Sequence, residues 1–227
     1  KHCEKPNQRM KKFFYNNSLS IVFLILFVGS LVGQVIFGHD EFNKELADNG
    51  AMSVGMKEYL SSGHFVQATF ENWESEFLQM LLFVVLTIFL QQKGSSESKD
   101  FDKKERVDKK PAATKKDAPW PVRKGGIVLE IYKYSLSIAL LLLCLISFVL
   151  HLNGSLDDEN ELHKLKGIPI ETMSEYIVDS RFWFESFQNW QSEFLSVFAI
   201  VILSIYLRQQ GSPQSKPVDA PHYETGE

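Results

Sequence analysis

One short segment decides the fold, because it occurs twice: Asn72-Trp73-Glu74-Ser75-Glu76-Phe77 returns as Asn189-Trp190-Gln191-Ser192-Glu193-Phe194. The two copies are 117 residues apart. Shared apolar composition alone would not align polar residues at a constant offset, so the sequence predicts an internal duplication. The same offset relates other identical residues of the two halves, among them the pairs Ser18 and Ser135, Glu58 and Glu175, and Gly94 and Gly211.

Each copy of the segment stands at the start of an apolar run, and two further runs complete a set of four. The runs cover about residues 18–37, 72–90, 135–152 and 189–207. An α-helix needs about 20 residues to cross the ~30 Å hydrocarbon layer of a membrane. The second run is uninterrupted only from Phe77, so we expect its helix to begin earlier, near Asn72. The prediction is an all-α integral membrane protein with four transmembrane helices from two tandem parallel two-helix repeats.

Charged segments separate the runs and set the domain boundaries. The linker and the tail are polar and contain prolines, a composition typical of a solvated, largely disordered chain. The aromatic segment Phe182–Phe187, ahead of the fourth run, predicts a helix that lies along the membrane surface. The expected parts are a lead (1–17), a first membrane repeat (18–92) with an external loop (38–71), a linker (93–134), a second membrane repeat (135–209) with an external loop (153–188), and a tail (210–227).

Lysine and arginine are unevenly distributed among these parts. They crowd the lead and the linker, whereas both long loops are rich in aspartate and glutamate. By the positive-inside rule, the linker and both termini are expected in the cytoplasm and the two acidic loops outside. The lysines of the linker also favour anionic lipid as a partner, at about 1 kcal/mol for each lysine near the membrane surface.

Polar residues that are kept in both copies form the candidate site. The asparagine and the glutamate of each copy are four residues apart, so they fall on one helix face. A polar face kept in both copies is expected to point into the helix bundle, away from lipid. Two interpretations stay open: hydrogen bonds that hold the helices together, or paired carboxylates that bind a cation or a proton. The set comprises Asn72, Trp73 and Glu76 in the first copy and Asn189, Trp190 and Glu193 in the second.

Signatures of catalysis and of cofactor binding are missing from the sequence. There is no glycine-rich phosphate loop, no His-Glu-x-x-His and no Gly-x-Ser-x-Gly. The two cysteines, Cys3 and Cys144, lack the spacing of a metal-ligand pair, and the loop segment His39-Asp40-Glu41 has no second ligand pair beside it. We therefore expect no enzymatic activity, no cofactor and no metal site. Acids alternate with bases in the linker, which argues against nucleic-acid binding.

Four stretches of the chain carry a family resemblance. They are Asn17-Ser18-Leu19-Ser20, the two Asn-Trp-x-Ser-Glu-Phe segments, and the exit Leu207-Arg208-Gln209-Gln210-Gly211-Ser212-Pro213. Together they resemble a family of uncharacterised bacterial four-helix inner-membrane proteins, catalogued as a domain of unknown function. The resemblance implies a bacterial inner (plasma) membrane location and brings no activity, ligand or site. The first copy has Glu74 where the second has Gln191, so the two halves need not be equivalent.

The expected function is therefore that of a non-enzymatic membrane protein with a structural or partner-interacting role. The alternative is a small cation or proton transporter or channel that uses the paired glutamates Glu76 and Glu193. Four spans are few for a solitary pore, so this alternative implies a homo-oligomer in the lipid bilayer.

Overall fold

The computed structural model describes residues 6–112 and 117–226. The first five residues of the expected lead, with Cys3, and four residues of the expected linker lie outside this description. The described chain is all-helical and contains no strand, which confirms the predicted fold class. In chain order the helices are α1 (Pro6–Asn16), α2 (Ser18–Asp48), α3 (Met56–Tyr59), α4 (Gly63–Phe89), α5 (Trp120–Lys124), α6 (Gly126–Lys133), α7 (Ser135–Lys166), α8 (Met173–Tyr176) and α9 (Ser180–Tyr206), with a 3-10 turn at Arg106–Asp108.

Four of these helices, α2, α4, α7 and α9, are long and apolar enough to cross a membrane. The shorter two have 27 residues each, and a rise of 1.5 Å per residue makes them about 40 Å long. The prediction of four helices of membrane-spanning length is thus confirmed. The apolar stretch of α2 is not buried at all, and side chains such as Leu19 and Phe23 are more than half exposed. Lipid is the solvent that accommodates so large an apolar surface.

The long helices extend beyond their apolar runs into the segments expected to be external loops. Helix α2 continues to Asp48 and α7 to Lys166, while α4 and α9 begin at Gly63 and Ser180. The aromatic segment before the fourth run is therefore the beginning of α9 rather than a separate surface helix. A helix satisfies its own backbone hydrogen bonds, so it can continue from lipid into water without an apolar surface.

The helices of the two halves have matching positions. Helices α3 and α8 each have four residues, α4 and α9 each have 27, and every pair is offset by 117 residues. Helices α2 and α7 begin 117 residues apart and contain 31 and 32 residues. The offset found in the sequence therefore also relates the ends of the helices.

The described residues form two compact units. The first holds residues 6–66 and 157–170, and its core is made by Phe42, Leu46 and Tyr59. Val54 is fixed to α2 here, because its N–H donates to Asn43 Oδ1 at 2.7 Å. Gly38 faces the Tyr59 hydroxyl so closely that a Cβ at this position would collide with it. This part of α2 therefore requires glycine.

The second unit holds residues 67–156 and 171–226, with parts of α4 and α7 and all of α9. Leu152, Leu156, Tyr176 and Phe182 form its buried core, and Phe148 and Trp183 pack against them. This core lies beside the side chains that form the candidate site.

The segments that follow α4 and α9 adopt the same turn. The N–H of Gln92 donates to Ser98 Oγ at 2.9 Å, and the N–H of Gln209 donates to Ser215 Oγ at 2.9 Å. Each turn has a glycine with positive φ, Gly94 at 87° and Gly211 at 83°, a backbone conformation that only glycine adopts readily. The first turn is attached to α9 by a hydrogen bond between Ser95 and Ser204. The described parts of the linker and the tail thus contain more regular structure than their composition predicts.

Candidate functional site

Three helices of the second unit bring one histidine and three glutamates together. His151 of α7 is fully buried, with 0% of its surface exposed, and Glu74 of α4 is 1% exposed. The Nδ1 atom of His151 lies 2.7 Å from Glu74 Oε2. The Nε2 atom lies 3.6 Å from Glu185 Oε2, on α9, and 4.0 Å from Glu71 Oε2, on α4. We call these four residues the His151 cluster.

Helix geometry explains how α4 alone supplies two of the three glutamates. Glu71 and Glu74 are three residues apart, so they project from the same side of α4. The buried side of α4 carries Thr69, Glu74 and Ser75, all polar residues. At the level of the cluster, these three polar side chains of α4 therefore face protein, as intramembrane polar residues generally do.

Glu74 is held at both carboxylate oxygens. Its Oε2 pairs with His151 Nδ1, and its Oε1 accepts a hydrogen bond from Trp190 Nε1 at 3.1 Å. An ionised carboxylate only accepts hydrogen bonds, so with Glu74 ionised the hydrogen of the pair is on His151 Nδ1. This contact fixes the orientation of the imidazole ring.

Glu185 is likewise held from two sides. Its Oε2 accepts from Ser155 Oγ at 2.7 Å, and its Oε1 accepts from Arg181 Nε at 2.9 Å. The Ser155 hydroxyl also hydrogen-bonds the hydroxyl of the fully buried Tyr176. A chain of hydrogen bonds thus connects the cluster with α8.

The second ring nitrogen of His151 has no hydrogen-bond partner among the described residues. Both distances from Nε2 to the acids, 3.6 Å and 4.0 Å, exceed hydrogen-bond range. With Nδ1–H given to Glu74, this nitrogen carries either a lone pair or a second proton. In both cases it faces the carboxylates of Glu71 and Glu185.

One side of the cluster is apolar. The ring of Phe182 lies against the imidazole of His151, with ring centroids 4.9 Å apart. Leu152 and Phe148 belong to the same packed group. In such surroundings electrostatic interactions are stronger than in water, and an uncompensated charge is expensive.

One ligand atom each from Glu71, His151 and Glu185 lies within 4.8 Å of the others. Imidazole nitrogen and carboxylate oxygen are ligands that divalent transition-metal ions accept. We expected no metal site from the sequence, in which these three residues lie far apart along the chain. The fold brings them together.

The predicted site residues occupy other positions. Asn72 and Glu76 are exposed, and the side chain of Asn72 donates to the Ala68 carbonyl of its own helix at 2.8 Å. Trp73 is half-buried and packs edge-on against Phe70. We expected the helix face with Asn72 and Glu76 to point into the protein. This expectation is wrong, because both side chains are exposed.

In the second copy the predicted residues lie closer to the cluster. Trp190 donates a hydrogen bond to Glu74, a member of the cluster. The Asn189 side chain donates to the backbone carbonyl of Glu185 at 3.2 Å. Glu193 is half-buried. Neither of the paired glutamates, Glu76 and Glu193, is part of the His151 cluster.

The candidate residues were chosen because they occur in both copies. None of the four cluster residues does, so the cluster was missed. At an offset of 117 residues, Glu71, Glu74 and His151 correspond to Gln188, Gln191 and Gln34, and Glu185 corresponds to Ala68. The signal that would have found them is the difference between the halves: ionisable residues near the membrane in one copy and neutral ones in the other. The exchange of Glu74 for Gln191 was the visible part of this pattern.

A second feature of this unit is an open, mostly apolar crevice of about 440 Å³ between α4 and α9. Leu82, Phe83, Phe194 and Phe198 contribute to its walls. It carries few polar groups and does not include the His151 cluster.

Comparisons with known proteins agree with the expected resemblance to an uncharacterised family. A search of curated proteins and a search of solved structures each found no match. A family profile, in contrast, covers nearly the whole chain. The chain belongs to the family described as Domain of unknown function (DUF6766), whose profile matches residues 10–227.

Proposed function

We propose that the chain is a non-enzymatic, multi-pass membrane protein that binds a metal cation among its membrane helices. The observation that carries this proposal is the convergence of Glu71, Glu74 and Glu185 on the fully buried His151. Ionisable side chains are costly within membrane helices, and where they occur they commonly mark an ion or proton site.

Stability alone is a weaker explanation for the cluster. Replacing a buried ion pair by well-packed apolar residues is often neutral or stabilising by about 1–4 kcal/mol. Leu152 and Phe182 already provide an apolar environment around His151 into which such residues would fit. A purely structural role, the leading interpretation of the sequence, therefore gives no reason for three carboxylates around one histidine. Binding of positive charge gives one.

The proposal includes an internal duplication in which the two copies have diverged. The equal spacing of the helices and the matching exit turns support the duplication. The four cluster positions hold three glutamates and a histidine, whereas the four positions that correspond to them at the offset of 117 hold three glutamines and an alanine. We propose that only one of the two equivalent arrangements, the one built from α4 of the first repeat with α7 and α9 of the second, retained or acquired the cation site.

We also propose a bacterial inner-membrane location with both termini and the linker in the cytoplasm. The distribution of lysine and arginine supports this orientation. Glu71 precedes the apolar run of α4 and His151 stands at the end of that of α7, so the cluster would lie towards the external side. Anionic lipid would contact the linker. All four cluster residues belong to one chain, so the proposal does not require a homo-oligomer.

A second candidate function is cation or proton transport by the pair Glu76 and Glu193. The two glutamates occupy equivalent positions of the two halves, 117 residues apart, and this repetition favours it. In proteoliposomes, this function predicts ion flux that is lost in the double variant Glu76→Gln/Glu193→Gln and retained in His151→Gln. Equal flux in the parent and the double variant would exclude the pair as the transport site.

The test of the proposed function is a thermal unfolding series on the detergent-purified chain after treatment with a chelator. Melting is followed with chloride salts of Na⁺, Mg²⁺, Ca²⁺, Mn²⁺, Co²⁺ and Zn²⁺. A ligand that binds only the folded state at 100 times its Kd stabilises that state by about 2.7 kcal/mol. We expect at least one of these cations to raise the melting temperature by several degrees and with saturation.

The variants in this test separate the cluster from other carboxylates. The rise should disappear in the triple variant Glu71→Gln/His151→Gln/Glu185→Gln. It should persist in Glu76→Gln/Glu193→Gln, which removes two acids from the same two helices outside the cluster. If no cation shifts the melting of the parent, or if the shift survives in the triple variant, the proposed function is wrong.

A further inference from the structure

We infer that the cation is a divalent transition-metal ion bound directly by His151 Nε2, Glu71 and Glu185, with Glu74 and Trp190 as positioning residues for the imidazole. This inference rests on the proposed function and adds the class of metal and the role of each side chain. It also implies that the fourth coordination position is available to water or to another ligand, since three protein ligands do not complete a tetrahedral shell.

The three ligand atoms lie within 4.8 Å of one another, somewhat wider than such an ion requires. The Nε2 atom of His151 lies 3.6 Å from Glu185 Oε2 and 4.0 Å from Glu71 Oε2. Tetrahedral zinc with bonds of about 2.0–2.1 Å holds its ligands about 3.4 Å apart. Glu71 is only half-buried, and its hydrogen bond from Gln67 is long at 3.5 Å, so this side chain has room to close the remaining distance.

The unpartnered nitrogen of His151 is independent evidence for a ligand. This atom is buried and has no hydrogen-bond partner in the described part of the chain. A buried polar atom without a partner is unfavourable unless something else satisfies it. A metal ion between Glu71 and Glu185 would accept the lone pair of this nitrogen.

The surroundings of the other ring nitrogen match those of metal-bound histidines. Such histidines donate their second N–H to a carboxylate or a carbonyl, which fixes the tautomer and makes the ring a better ligand. Here Nδ1 pairs with Glu74 Oε2 at 2.7 Å, and Trp190 Nε1 holds the other oxygen of Glu74 at 3.1 Å. Glu74 therefore acts on the metal through His151 and does not itself bind the ion.

Charge and ligand type identify the class of metal. With a neutral imidazole, three carboxylates against Arg181 leave two negative charges, which a divalent cation balances. Calcium prefers six to eight oxygen ligands and magnesium prefers water-rich octahedral shells, whereas one imidazole with two carboxylates suits zinc, iron, manganese or cobalt. The apolar side chains of Phe182 and Leu152 would limit further hydration of the ion.

The test is a titration of the tag-free, chelator-treated full chain in detergent with Co²⁺, followed by visible absorption, with Zn²⁺ as competitor. We expect one Co²⁺ per chain, displaced by Zn²⁺. His151→Gln should weaken binding at least 100-fold, and Glu71→Gln and Glu185→Gln at least 10-fold. Glu74→Gln should weaken it about 10- to 100-fold, the usual effect of losing a group that orients a metal ligand.

Two matched controls distinguish this site from general binding by histidines and acids. His163 lies on the same helix as His151 and pairs with Glu159 at 3.0 Å, so His163→Gln removes another histidine–carboxylate pair of α7. Glu76→Gln removes an acid of α4 outside the cluster. Both variants should bind Co²⁺ as tightly as the parent.

A measurement on the parent alone covers the case in which cluster variants fail to fold. X-ray absorption of the Zn²⁺-loaded chain should show a shell of nitrogen and oxygen at about 2.0–2.1 Å with one imidazole and no sulfur. Two or more imidazoles, a sulfur ligand, or undiminished Co²⁺ binding in His151→Gln would overturn the inference. Melting shifts with Na⁺, Mg²⁺ or Ca²⁺ but none with the transition ions would also overturn it and leave the proposed function standing. An absence of any cation effect would overturn both.

Discussion

Trp190 is the residue at which the predicted site and the observed cluster meet. Its indole N–H donates to Glu74 Oε1 at 3.1 Å, and the other oxygen of Glu74 is engaged by His151. Glu74 is 1% exposed, so water cannot replace a lost partner. A single hydrogen bond from an indole ring therefore helps to keep a buried carboxylate in place.

We predict that Trp190→Phe, which keeps an aromatic ring but removes the N–H, lowers the free energy of unfolding by about 1–3 kcal/mol, the cost of leaving a buried acceptor unpaired. Thermal or denaturant unfolding in detergent measures the change. Trp183→Phe is the matched control, because Trp183 donates to the Ile177 carbonyl in an exposed contact where water can substitute. An equal loss in both variants would argue against a special role for the contact with Glu74.

At this scale the sequence predicted little of the site. Trp190 and Asn189 were selected because they are repeated, and both contact members of the cluster. Glu71, Glu74, His151 and Glu185 were not selected, since repetition favours residues that serve both copies equally. The cluster combines two residues of the first copy with two of the second, and each of the four differs from its counterpart at the offset of 117. The fold is needed to show that these residues meet.

Among the elements, the short helices α3 and α8 occupy equivalent places but begin differently. Helix α8 starts with a capping box, in which the Thr172 N–H donates to Glu175 Oε2 at 2.8 Å. Helix α3 starts after Gly55, which has no side chain to cap it. Hydrogen bonds from the backbone N–H and the hydroxyl of Thr172 hold the pKa of Glu175 below its usual range.

This shift predicts a pH dependence of the start of α8. A lowered pKa in the folded chain stabilises the capped helix above the ordinary pKa of a glutamic acid, about 4.3, and that stabilisation is lost as the pH falls through the lowered value. We expect the amide NMR signal of Thr172 to move as Glu175 takes up its proton, at a pH below the ordinary pKa of a glutamic acid. Glu175→Gln should remove this movement. A Thr172 signal that is constant between pH 7 and pH 3 in the parent would contradict the capping role.

The sequence predicted the existence of the long helices better than their ends. Runs of about 20 apolar residues are sufficient to predict a membrane helix. The extensions of α2 to Asp48 and of α7 to Lys166 carry many charges and have no apolar signal. Whether a helix continues into water depends on local hydrogen bonds and on packing, such as the cluster of Phe42, Leu46 and Tyr59, which a sequence pattern does not display.

For the whole molecule, the positive-inside rule predicts the orientation in the membrane. Single cysteines at exposed positions test it in a background in which Cys3 and Cys144 are replaced by serine. Met52→Cys and Ile170→Cys lie in the two acidic segments, and Val107→Cys lies in the linker. We expect a membrane-impermeant thiol reagent to label the first two in intact cells and the third only after permeabilisation. The reverse pattern would invert the proposed topology.

The whole chain also shows why family membership leaves the function open. The family profile covers residues 10–227 and carries no activity. The chemistry of the second unit, with His151 between carboxylates from two other helices, suggests what one role of this chain is. The proposed function therefore depends on whether the His151 cluster binds metal.

The most direct test of that claim is the metal content of the chain as it comes from the membrane. We would purify the parent, His151→Gln and His163→Gln without adding metal or chelator and measure bound metals by mass spectrometry. We expect about one transition-metal ion per chain in the parent and in His163→Gln, and almost none in His151→Gln. Equal metal content in the parent and His151→Gln, or no metal in the parent, would contradict it.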